Sequence, residues 1–266
     1  MKNRATFSVE TDVLSIEIDA VNADIAIGES GDGTFRLEYP KTRNISAGAS
    51  DDSVILNQNK YPLSNWKRQK ISIFIPAHTV PDIKIHAKTC SLNIKGGIYA
   101  ELALTIGDGK VKLGDAMFSG AQISGESADV TLNNVTVKGT LFLQVDKGNV
   151  LAENTFATRA DCKVKRGNIG MASVNCRDCA FNTDRGNITA TVVGSEQSFN
   201  TTLIAREGIL NRESTKHEGA DGNFQAYADK GNIVLDFADD RIPLPEITSS
   251  LNEDTQADGD GTTETL

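Results

Sequence analysis

The sequence predicts an all-β protein, a single-stranded parallel β-helix (β-solenoid) with about 19–20 residues per coil. A phrase of a basic residue, glycine, asparagine and a β-branched residue recurs four times, as DKGNV, KRGNI, DRGNI and DKGNI. Apolar and polar residues alternate around each copy, which is typical of short strands. The chain has 23 Gly and 6 Pro with only 6% aromatic residues, which favours strands and tight turns over helices.

Residues 1–88 lack this phrase, yet stretches such as LSIEIDA, ADIAIGE and KISIFIP alternate in the same way. An open solenoid end presents unpaired backbone groups, so a covering segment is needed there. We expect this N-terminal β segment to act as a cap or as irregular first coils.

Residues 89–240 contain the repeat. Aligned by its β-branched residue, the phrase gives anchors with gaps of 19, 20, 19, 19, 21 and 24 residues: Val111, Val130, Val150, Ile169, Ile188, Ile209 and Ile233. The residue two positions after the anchor is apolar in six of seven cases, which predicts an inward-facing strand. Twelve positions after four anchors lies a second inward column of Ile123, Phe142, Cys162 and Phe181, although Leu141 and Leu143 make the Phe142 register ambiguous.

The turn of each coil is assigned to four Gly-Asn pairs, because glycine adopts positive φ freely and asparagine tolerates it better than most residues. These structural turn residues are Gly148, Asn149, Gly167, Asn168, Gly186, Asn187, Gly231 and Asn232. The competing fold is an antiparallel meander, since Gly-Asn between apolar alternations is also a hairpin signal. Repetition of one residue type in each column favours the coil.

The formal net charge of −9 argues against a general nucleic-acid binder, whose affinity would come from neutralising phosphates. Residues 241–266 form an acidic tail with few large apolar residues, and we expect this tail to be disordered. No secretory leader or transmembrane segment is evident in the sequence. We therefore expect a cytoplasmic protein, or one at the cell surface if it is exported by a non-classical route.

The early ADIAI strand, the GDGTFRLEY return, the KISIFIP strand and the repeated G-[DN]-[IV] phrases together resemble a bacterial family of putative adhesins, a domain of unknown function. The resemblance covers about residues 7 to 238. It implies a β-solenoid with a surface or interaction role, and it supplies no catalytic residues.

Few residues suggest chemistry. Lys147, Arg166, Arg185 and Lys230 precede the four turn glycines and form a candidate ridge for an anionic glycan or lipid headgroup. Asp146, Asp184 and Asp229 share one column, which could bind calcium or cleave a polysaccharide, although solvated turn charges are the simpler interpretation.

The pair Cys176 and Cys179 could be a redox pair or half of a zinc site, or two small buried hydrophobes. We favour the last reading, because a second paired ligand spacing is lacking. No catalytic residue, metal or cofactor is predicted.

The function that the sequence favours is a non-catalytic interaction or scaffold protein whose protein or glycan partner is unknown. Contact with a membrane surface or the cell envelope stays open. The alternative is a carbohydrate-active enzyme, a polysaccharide lyase or hydrolase on a β-helix.

Overall fold

The computed structural model describes residues 4–9, 13–50, 52–59 and 68–238, so the predicted acidic tail lies outside the described residues. Within these ranges the chain is all-β and solenoid-like, with one 3₁₀ turn at Glu196–Ser198. The strands are β1 (Arg4–Val9), β2 (Ser15–Glu29), β3 (Phe35–Pro40), β4 (Ile45–Ser50), β5 (Ser53–Gln58), β6 (Gln69–Ile75), β7 (Asp82–Lys95), β8 (Ile98–Gly114), β9 (Met117–Asn133), β10 (Thr136–Lys147), β11 (Val150–Arg166), β12 (Ile169–Arg185), β13 (Ile188–Val193), β14 (Phe199–Glu207), β15 (Gly222–Lys230) and β16 (Ile233–Ala238). None of the described helices has the length and apolarity that crossing a membrane requires.

Strands β7 to β12 form regular rungs, and each rung pairs in parallel with the next one along the chain. Val111 lies beside Val130, Val150 beside Ile169, and Ile169 beside Ile188, so the sequence columns are also spatial columns. The antiparallel meander is thereby excluded for this region, because a meander would pair these strands in opposite directions.

The N-terminal strands combine two kinds of pairing. β2 pairs in parallel with β5, β6 and β7, so it is already a rung of the regular type. β1, β3 and β6 pair antiparallel with one another in turn, and β4 pairs antiparallel with β5. The predicted boundary at residue 88 falls within β7, and the division into domains stays a prediction.

Inward side chains of all rungs form one continuous hydrophobic cluster. The predicted second inward column is occupied by Ile123, Leu143, Cys162 and Phe181, which are all buried. Phe142 instead faces outward and is half-buried, so its assignment to that column is wrong. The strand has shifted by one residue relative to the expected spacing, because β10 contains a register irregularity between Val137 and Leu141.

The last rungs are not stacked in chain order. β15 lies between β12 and β14, and β16 pairs directly with β13. Ile233 is consequently the neighbour of Ile188, although 45 residues of sequence separate Asn187 from Asn232 at the same level. We call β13 to β16 the interleaved rungs.

Ile209 was expected to be an inward anchor, and this expectation is wrong. Its side chain is 72% exposed, whereas the following Leu210 bridges to Ile233 and packs against the core. The segment REGIL lacks the asparagine that separates glycine from anchor in the other copies. Gly208 approaches Gly231, so Ile209 falls at the level of the asparagines and Leu210 takes the place of the anchor.

Candidate functional site

The corner built by the Gly-Asn pairs is held by close backbone approach between rungs. Gly148, Gly167, Gly186 and Gly231 have φ values of 130°, 145°, 150° and 150°. A Cβ atom at any of them would overlap a carbonyl oxygen of the neighbouring rung, so a larger residue would require a backbone shift. Two independent constraints therefore require glycine at this corner, namely the positive φ and the lack of space for a Cβ atom.

Asparagine side chains link these corners in a ladder that consists of Asn149, Asn168, Asn187 and Asn232. The Oδ1 atom of Asn149 accepts from the backbone nitrogen of Asn168 at 3.0 Å, and the Oδ1 atom of Asn168 accepts from that of Asn187 at 2.9 Å. The ladder then passes to Asn232 rather than to residue 209. Asn232 finally accepts from the nitrogen of Ile209 at 2.9 Å.

The ladder gives a physical reason for the interleaving. A rung with asparagine can satisfy the backbone nitrogen of a further rung, whereas Ile209 offers no side-chain acceptor. Among the described residues, the rung that lacks asparagine lies at the end of the ladder, where no further backbone nitrogen needs a side-chain acceptor.

A second corner was missed by the sequence reasoning. Asp115, Asn134, Asn154 and Ser173 adopt φ values of 52°, 53°, 48° and 55°. Two of the amides bridge rungs, because Nδ2 of Asn134 donates to Asp115 at 3.0 Å and Nδ2 of Asn154 donates to Asn134 at 3.2 Å. The available signal was a small polar residue every 19 or 20 positions, of the types that tolerate left-handed backbone.

The candidate ridge residues form one row across four neighbouring strands, β10, β11, β12 and β15, which we call the basic column. Lys147 lies beside Arg166, Arg166 beside Arg185, and Arg185 beside Lys230. All four side chains are exposed. Lys230 pairs with Glu207 at 3.1 Å, whereas no carboxylate among the described residues forms an ion pair with the other three.

The residues one position earlier form a row of mixed sign. Asp146 pairs with Lys165 of the next rung at 2.8 Å, and Asp229 pairs with Arg206 at 3.5 Å. Asp184 faces solvent between Lys165 and Asp229. The three aspartates thus lie in one row as expected, but Lys165 separates the first from the second, and two of the three are neutralised by cations.

A polar groove with a volume of about 720 Å³ runs from β2 to β11 and meets the basic column only at β10 and β11. Its lining combines hydrogen-bond donors and acceptors from successive rungs, including His86, Lys88, Thr105, Ser124, Glu126 and Gln144. Asp146 and Lys165 also line it, so the groove ends next to Lys147 and Arg166. Groove and basic column together form the candidate functional site.

The cysteines do not offer an accessible thiolate. Cys176 and Cys179 are buried as expected, but they are joined by a disulfide at a corner of β12, so the interpretation as two unpaired hydrophobes is wrong. Burial raises the pKa of Cys90 to about 12, and burial also raises the pKa of Cys162 well above the usual range. Within the described ranges, no group of three or more His, Cys, Asp or Glu side chains could hold a metal ion.

Comparison with known proteins identifies the family and the fold. The sequence model of the family Toastrack DUF4097 matches residues 9–232. A putative adhesin from Parabacteroides distasonis is 12% identical, with 88% of this chain and 96% of that chain covered and a TM-score of 0.54. One from Parabacteroides merdae is 13% identical, with 89% and 95% covered and a TM-score of 0.52. At these identities the likeness concerns the fold alone, and no curated protein matches the chain.

Proposed function

The chain belongs to the Toastrack DUF4097 family, and from that premise we propose that it is a non-catalytic binding or scaffold protein. It holds another macromolecule against the regular face that carries the groove and the basic column. The observation that supports this most is the basic column, in which three exposed cations on consecutive rungs lack an internal partner. The name putative adhesin of the similar structures fits a binding role.

Each repeat is one coil of a single-stranded β-helix in this proposal, with about 19–20 residues per coil. Within β11 the inward alternation is interrupted at Glu153–Asn154 and at Thr158–Arg159, and the strand ends at the Gly167 corner. Three interruptions per repeat favour a coil with three faces. An experimental structure that shows two stacked sheets without a bend at Asn154 would contradict this.

The binding role is tested by comparing the protein with a variant in which Lys147, Arg166 and Arg185 are replaced by Gln. The matched control replaces Lys112, Lys138 and Arg159, which are also exposed and also lack described ion pairs. A panel of probes is titrated, consisting of charged and neutral polysaccharides, anionic lipid vesicles and single-stranded DNA. We expect saturable binding of at least one probe, lost in the basic-column variant and retained in the control.

The alternative function is a carbohydrate-active enzyme that uses Asp146, Asp184 and Asp229. Asp146 and Asp229 each form an ion pair, which is unfavourable for a pair of carboxylates that must exchange protons. Replacement of each aspartate by Asn tests this alternative. Release of reducing ends from a polysaccharide by the parent protein, lost in any of these variants, would favour the enzyme over the binding role.

The cellular location also belongs to the proposal, either the cytoplasm or the cell surface after non-classical export. Protease shaving of intact host cells, followed by mass spectrometry, separates the two. Peptides released from intact cells would support a surface-binding role, whereas peptides found only after lysis would direct attention to intracellular partners or the inner face of the membrane.

A further inference from the structure

The basic column differs from its neighbours in how charges are arranged between rungs. Opposite charges face each other at other places, as in Lys165 with Asp146 at 2.8 Å and Lys84 with Glu17 at 3.3 Å, although Asp184 lies beside Asp229 in the neighbouring row. In the basic column like charges face each other on four neighbouring strands. Like charges directly opposite on neighbouring strands are destabilising. The arrangement therefore costs stability, and only Lys230 has an internal counterion to offset it.

The positions of these charges are fixed by the corner beneath them. Each basic residue precedes a glycine that is locked against the neighbouring backbone, and that glycine precedes a residue of the asparagine ladder. Neighbouring strands lie about 4.8 Å apart, so four charges span about 14 Å along the stacking direction. Ser127 ends the array on one side and Glu207 on the other. The molecule thus presents a short, evenly spaced row of positive charge.

The row is one charge wide, which restricts what can bind. Asp146, Asp184 and Asp229 lie directly beside the cations, so a flat anionic surface would meet both signs of charge at once. A broad polyanion such as a nucleic acid would meet the same carboxylates, and the net charge of −9 would repel it further. A single chain with regularly spaced anionic groups can touch the cations alone.

We propose that the basic column binds one linear polysaccharide whose sugar residues carry carboxylates, laid parallel to the direction in which the strands stack. This inference rests on the proposed binding function and names its ligand. The carboxylates lie against Lys147, Arg166 and Arg185, since guanidinium groups recognise carboxylates through paired hydrogen bonds. At the β10 end of the column, hydroxyl groups of the sugars reach the groove, where Gln144 can donate and accept and Glu126 and Asp146 can accept.

The test uses oligogalacturonate as the charged probe and its methyl ester as the neutral probe with the same sugar backbone. We expect the protein to bind oligogalacturonate in calorimetric titration at low salt and to bind the ester at least about tenfold more weakly. The variant K147Q/R166Q/R185Q should lose at least about tenfold in affinity, and the control K112Q/K138Q/R159Q should lose none. Added salt should weaken the binding, because exposed charges are screened.

A second measurement separates a binding role from a structural one. Without ligand, the melting temperature of K147Q/R166Q/R185Q should equal or exceed that of the unchanged protein, because the substitution relieves repulsion between rungs. A lower melting temperature would indicate that the cations support the fold and would overturn the inference.

Equal affinity for the ester, or equal loss in the control variant, would also overturn the inference. Binding to anionic vesicles or DNA alone, abolished by the basic-column substitutions, would overturn the polysaccharide and leave the binding function standing. Absence of any binding that depends on the basic column would overturn both.

Discussion

The regular rungs and the interleaved rungs use the same corner and stack in different orders. From β7 to β12 each rung lies beside its successor in the chain. In contrast, β15 lies between β12 and β14, and β16 lies between β13 and the segment at Leu210. Both regions share the glycine corner and the asparagine ladder. The local phrase therefore determines where a residue lies within its rung, and a different factor determines which rung is its neighbour. One such factor is whether a rung carries an asparagine whose Oδ1 atom can accept a hydrogen bond from the backbone nitrogen of its neighbour.

The largest expected effect comes from breaking the shared corner. Gly167→Ala places a Cβ atom against the carbonyl oxygen of Gly148 at a φ of 145°. Strain and overlap together should lower the free energy of unfolding by about 4 kcal/mol or more. The control is Gly31→Ala, where nothing lies within 4 Å of the added atom. Chemical denaturation measures both, and equal effects would show that the corner is not constrained.

The second-largest effect on stability distinguishes Ile169, a buried anchor, from Ile209, which the repeat spacing wrongly marked as one. Ile169 is 1% exposed and Ile209 is 72% exposed, although both follow the repeated glycine in sequence. Ile169→Ala should destabilise the protein by about 2–5 kcal/mol, because it leaves a cavity in the core. Ile209→Ala should change the free energy of unfolding by less than about 0.5 kcal/mol. A large loss in the second variant would restore Ile209 to the inward series.

A smaller loss in the free energy of unfolding is expected when one asparagine of the ladder is replaced. Asn168 serves the next rung in sequence, whereas Asn187 serves Asn232, 45 residues away. Replacement of either by Ala should cost about 1 kcal/mol, the usual contribution of one hydrogen bond. Hydrogen exchange should increase in residues 222–238 for Asn187→Ala. Unchanged exchange there would argue against direct contact between these rungs.

The smallest expected signal is the reaction of buried thiols. Cys162 lies in the regular rungs, and its raised pKa keeps it in the unreactive thiol form at pH 8. The natural control is Cys90, whose pKa is about 12. A cysteine introduced at Ala228 of β15, also fully buried, reports on the interleaved rungs. We expect it to be modified faster than Cys162, since modification of a buried thiol requires local opening. A slower reaction would make the interleaved rungs the more rigid region.

Much of the fold could be predicted because the repeat carries its own evidence. The columns that contain Val150, Ile169 and Ile188 were visible as a constant spacing, and the Gly-Asn pairs indicated a corner. The second corner could not be recognised as easily, because Asp115, Asn134 and Ser173 differ in type and share only a tolerance of left-handed backbone. The family resemblance is confirmed by the match to residues 9–232.

The order of the last rungs depends on pairing between distant segments, which periodicity does not report. Both β14 and β15 alternate apolar and polar residues, so either could extend the sheet beyond β12. The gaps of 21 and 24 residues and the missing asparagine before Leu210 were the available signals. For the candidate site, the sequence indicated the basic residues, whereas the absence of counterions for three of them required side-chain positions.

The interleaved order has a mechanical consequence. A terminal strand that lies on the edge of a stack can be peeled off by breaking one row of hydrogen bonds at a time. β15 has β12 on one side and β14 on the other, and β16 lies between β13 and the segment at Leu210. A force applied through residue 238 must therefore break the row of hydrogen bonds between β16 and β13 together with the bridge at Leu210. The last described strand, β16, should therefore resist pulling more strongly than an edge strand that is held on one side alone.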